Sequence, residues 1–140
     1  MPGVKLGLAN AVTLFALFYN RRLTTLDAFA ILLCRILLGA IFTGRPIVLA
    51  FSLAGGLLGF AAQAVVSRFV SNRLIWVCGA IGAIFHNIGQ IIAATILTGT
   101  PAIAMYLPIL IIAGALAGAL TGFIAQLTLK RINLIPSIPP

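Results

Sequence analysis

Long apolar runs, cut at intervals by basic residues, make up most of the chain, and their lengths predict its elements. Leu6 to Asn20 is one run, residues 26–44 are a second, crossed midway by Arg35, and residues 46–67 are a third, opened by Pro46. Residues 74–129 carry no charge, a stretch too long for one helix, and Thr98-Gly99-Thr100-Pro101 divides it into spans near 74–97 and 102–129. A helix needs ~20 apolar residues to cross the hydrocarbon; the first run rises only about 22 Å and must borrow its flanks. Pro108 is expected to kink the last helix or to start its regular part. The pattern predicts an all-α, multi-pass transmembrane bundle of five spans. They form one domain over residues 1–132, with a short disordered tail at 133–140.

Composition supports the bilayer as solvent. Of 140 residues, 62% are hydrophobic and 7% charged, whereas soluble domains average roughly 25% charged. The net charge is +8, with Asp27 the one acid. On a soluble protein that excess would point to nucleic acid; between membrane spans it sets orientation and meets anionic lipid. The N-terminus and the 45 and 98–101 loops carry Lys5 and Arg45, while alternate loops and the C-terminus carry Arg21, Arg22, Arg68, Arg73, Lys130 and Arg131. The second set is expected in the cytoplasm, with the N-terminus outside. An N-terminus outside leads the reading to expect one more helix upstream of residue 1. Trp76 is expected as an interfacial anchor, and Cys34 and Cys78 as small core residues.

The same composition excludes several chemistries. One carboxylate cannot form a Mg²⁺-diphosphate cluster, no intramembrane acid is present for proton coupling, and no P-loop motif is present. No cofactor is implied, and His86, without a second His or a carboxylate nearby, is not expected to hold a metal.

Polar residues inside the apolar runs are then the candidates for function. A guanidinium in mid-span costs at least ~2.5 kcal/mol and needs a partner or water. Asp27 lies eight residues from Arg35, about 12 Å along one helix, in a T-x-x-D helix start with Thr24. Arg35 therefore snorkels, bonds backbone carbonyls, or holds an anionic ligand. In the fourth span His86, Asn87 and Gln90 share a polar face. With Asn10, near the outer end of the first span, and Lys5 just beyond it, they describe an outward-facing pocket for a carboxylate, phosphate or diphosphate. Tyr106, on the outer side, is a further candidate. Gly55 and Gly59, then Gly114, Gly118 and Gly122, form small-residue ridges for helix packing or for docking another subunit.

Six segments carry a family resemblance: Pro2-Gly3-Val4-Lys5-Leu6-Gly7-Leu8-Ala9-Asn10, Val12-Thr13-Leu14-Phe15, Arg35-Ile36-Leu37-Leu38-Gly39, Phe51-Ser52-Leu53-Ala54-Gly55-Gly56, His86-Asn87-Ile88-Gly89-Gln90 and Tyr106-Leu107-Pro108-Ile109-Leu110. From residue 2 to about 131 the chain resembles the Gx transporter family, also labelled heptaprenyl diphosphate synthase component I. That family is similar to the substrate-binding S components of energy-coupling factor transporters. The resemblance implies a six-helix fold whose first helix this sequence lacks. It implies a non-enzymatic subunit that binds an anionic, isoprenoid-related molecule, with a transmembrane coupling subunit and ATPases as partners. Two other functions stay open: an accessory subunit of polyprenyl diphosphate synthesis, and a quinone- or flavin-linked membrane electron-transfer module.

Overall fold

The computed structural model describes residues 4–19, 23–71 and 73–134, with side chains from Asn10 to Ile132 within those ranges. Five α-helices appear among them: α1 (Val4–Phe18), α2 (Thr25–Thr43), α3 (Pro46–Val66), α4 (Ile75–Thr98) and α5 (Leu107–Leu134), with a 3₁₀ helix at Pro101–Tyr106 ahead of α5. Four segments are long and apolar enough to cross a bilayer, namely α2, α3, α4 and the stretch Pro101–Ile132. This is a helical membrane protein. The sequence puts the last span at 102–129; α5 instead starts at Leu107 with Pro108 in its first turn and continues to Leu134. The expected disordered tail falls largely on residues 135–140, outside the described residues.

Local chemistry sets the boundaries. Thr24 and Asp27 close a reciprocal capping box: Thr24 N–H donates to the Asp27 carboxylate at 2.7 Å, and Asp27 N–H donates to Thr24 Oγ1 at 3.3 Å. The one acid of the chain is thus engaged at the start of α2. Gly44 and Gly99 end α2 and α4 in the left-handed conformation, both at φ 63°, a conformation that glycine adopts without a Cβ penalty. Pro46 and Pro101 follow at the first turns of the next helices, where a missing N–H costs nothing.

Each helix packs on its neighbours in the chain, and α1 packs on α5, so the five close into a ring, with α1 also touching α4. Short α1 lies largely in protein rather than lipid: Thr13, Leu14, Ala16 and Phe18 are all buried. The hydrophobic core is gathered at one end, where Leu14 and Phe18 meet Ile75, Cys78, Ala125 and Leu129, with Val66 beside them. Arg68, Arg73, Lys130 and Arg131 immediately adjoin that core in sequence, so they mark the same, basic end of the bundle. Cys34, expected in a core, is exposed on α2; Cys78 is buried and donates its thiol to the Gln63 carbonyl.

The glycine ridges serve contacts within the chain. A Cβ on Gly55 would stand 2.7 Å from Gln90 Cγ, and one on Gly59 2.8 Å from the Gly82 carbonyl, so α3 lies directly on α4. On the other side of α4, Gly114 abuts Asn87, Gly118 the Gly79 carbonyl, and Gly122 the Trp76 backbone. Each of these five glycines lies against a helix of its own chain.

Candidate functional site

Away from the basic-end core the ring opens into a cavity of about 330 Å³. Asn10 from α1, Arg35 from α2 and His86, Asn87 and Gln90 from α4 line it, together with a strip of α5 running from Leu110 to Thr121. Helical geometry explains the meeting. His86 and Gln90 project from one face of α4, one turn apart, while Gly55, Gly59 and Gly89 bring α3 and α4 close enough to hold that face in place. Arg35 stands near the middle of α2, one position before buried Ile36, which packs over Gly56.

The polar atoms fall into two groups. Some are engaged: Asn87 Nδ2 donates to the Leu110 carbonyl at 2.6 Å, Gln63 Nε2 donates to Asn10 Oδ1 at 3.4 Å, and Thr121 donates to the Gly118 carbonyl at 3.0 Å. Others are not: Arg35 Nη1 and His86 Nε2 are buried without a hydrogen-bond partner among the described residues. An unmet buried donor costs roughly 1–3 kcal/mol, and more when charged. Among the described residues, the cavity therefore carries a cation with an unmet N–H and no acid beside it.

The structure brings together Asn10, Arg35, His86, Asn87 and Gln90. Asn10 sits at mid-helix rather than near the outer end, because α1 starts at Val4. Lys5 lies in the first turn of α1, not in a preceding loop, and its side chain is outside the described residues. Tyr106 does not line the cavity: it ends the 3₁₀ helix and stays 64% exposed, because the regular helix that reaches the cavity begins one residue later. Two polar residues near the site escape a reading by charge and amide clusters. Gln63 is 2% exposed and Thr121 5% exposed. Each is isolated in an apolar run, yet each is in register with a glycine ridge: Gln63 four residues after Gly59, Thr121 three after Gly118. That register places them facing a neighbouring helix.

A ring of apolar helices, four of them long enough to cross a bilayer, around a cavity that carries Arg35 defines a helical membrane protein. The chain belongs to the family described as heptaprenyl diphosphate synthase component I, which it matches over residues 1–128. Its place there is that of a membrane component, not of a catalyst. No curated protein and no solved structure matches it.

Proposed function

We propose that the chain is the substrate-binding membrane subunit of an energy-coupled transporter, holding a small anion on Arg35 inside the helix ring. The observation that carries this is the unpaired, buried Arg35 Nη1 at a cavity of about 330 Å³. His86 and Gln90 orient the bound molecule, and Asn10 does so under the grip of Gln63. A coupling subunit and ATPases supply the energy. The family's description points instead toward a part in prenyl diphosphate synthesis. Diphosphate chemistry requires clustered carboxylates for Mg²⁺, and Asp27, the one acid, is tied to Thr24 at the start of α2.

In liposomes the purified chain is expected to bind an anion without concentrating it, with accumulation appearing only when coupling subunit, ATPases and ATP are added. Uphill uptake driven by a proton gradient alone, or prenyl elongation by the chain alone, would overturn the reading. The asymmetry of basic residues supports a cytoplasmic basic end. A membrane-impermeant thiol reagent applied to intact cells carrying Cys34→Ser should then label Gly99→Cys and spare Ser71→Cys. Label on Ser71→Cys alone would invert the topology.

A further inference from the structure

If the cavity is the anion site just proposed, its charge and its walls narrow the ligand further. Among the described residues that line it, Arg35 is the permanently charged side chain. One negative charge balances Arg35; a diphosphate would carry excess negative charge relative to it into hydrocarbon depth, where an uncompensated ion is expensive. The guanidinium is a planar fork whose paired N–H groups match the two oxygens of a carboxylate, and Nη1 of Arg35 has no partner among the described residues.

The facing wall has its own shape. Ala113, Gly114, Ala117 and Gly118 lie on one side of α5 and line the cavity, so nothing larger than a methyl group projects from that strip. Such a wall is flat. A volume of about 330 Å³ lies at the lower end of the roughly 300–1,000 Å³ of small-molecule sites, which leaves no room for a long prenyl chain within it.

We propose that the cavity takes a compact monocarboxylate with a flat apolar body, the carboxylate on Arg35 and the body laid along the small-residue strip of α5. Calorimetry on the protein in nanodiscs tests this, with empty nanodiscs subtracted and three probes compared: 2-naphthoate, 2-naphthyl phosphate and isopentenyl diphosphate. At a pH where the phosphate is a dianion, 2-naphthoate is expected to bind about tenfold tighter than 2-naphthyl phosphate, and isopentenyl diphosphate more weakly still. Ala117→Leu, at an exposed position on that strip, should weaken 2-naphthoate by about tenfold while the protein stays monodisperse.

The outcomes separate the two levels of the reading. A preference for the phosphate or diphosphate that disappears in Arg35→Gln overturns the monocarboxylate and keeps the anion site. Full affinity in Ala117→Leu also overturns the monocarboxylate as drawn. Binding of no probe, or binding indifferent to Arg35→Gln, overturns both.

Discussion

Arg35→Gln is expected to weaken anion binding by more than tenfold, about 1.4 kcal/mol, and to leave the protein at least as stable as before. The two effects have one origin. The guanidinium is held inside the bundle with Nη1 unpaired, so the empty protein bears a desolvation cost that an anion cancels. Glutamine removes the charge and that cost together, while keeping a hydrogen-bonding group of similar reach. His86→Ala and Gln90→Ala should each cost less, because neutral hydrogen bonds are worth roughly 0.5–1.5 kcal/mol against about 1.5–3 for those to a charged group. Binding isotherms on the detergent-purified variants, beside their melting curves, check the pattern. Loss of folded protein with unchanged affinity in what survives would make Arg35 a structural residue and remove the centre of the site.

Gly118→Leu should give no monodisperse protein at all. A Cβ there would run into the Gly79 carbonyl and stand 2.6 Å from the Ala83 Cβ. Backbone cannot move aside as a side-chain end can. Overpacking a core costs typically about 1–3 kcal/mol, and here the whole α4–α5 interface must spread to admit the new side chain. Gly39→Leu is the matched control: it lies on α2, is exposed, and nothing stands within 4 Å of its Cβ position. Fluorescence-detected size exclusion of the two variants should show an aggregate for the first and a native peak for the second. Equal native peaks would mean that α4 and α5 do not meet at these glycines.

The helices were legible because membrane spans are written in length and charge. Arg45 and the Thr98–Pro101 segment sit where the chain must leave the hydrocarbon, and Thr24 with Asp27 announces a cap. The cavity was legible in part for a related reason: Arg35 and the His86-Asn87-Gln90 cluster stand out against apolar surroundings. Their meeting across the ring was not, since spacing along one helix gives its faces and not the rotation of one helix against another. Gln63 was hidden because a lone amide near a span's end passes for a boundary residue, although its step from Gly55 and Gly59 places it on the packed face. Tyr106 misled for the opposite reason. Its place on the outer side made it a candidate, whereas the 3₁₀ turn before α5 leaves it out of the cavity lining.

The packing is uneven, with the apolar core gathered at the basic end by Leu14, Phe18, Ile75, Cys78, Ala125 and Leu129, and a void in the other half. Whatever fills that void supplies contacts which the sequence itself withholds, so affinity for the occupant and firmness of that half are one free energy, about 2.7 kcal/mol when the occupant is present at a hundred times its Kd. Loaded and empty molecules then differ in stiffness at one end even where their shapes coincide. A partner that gripped that end would have a signal of occupancy without ever touching what is inside.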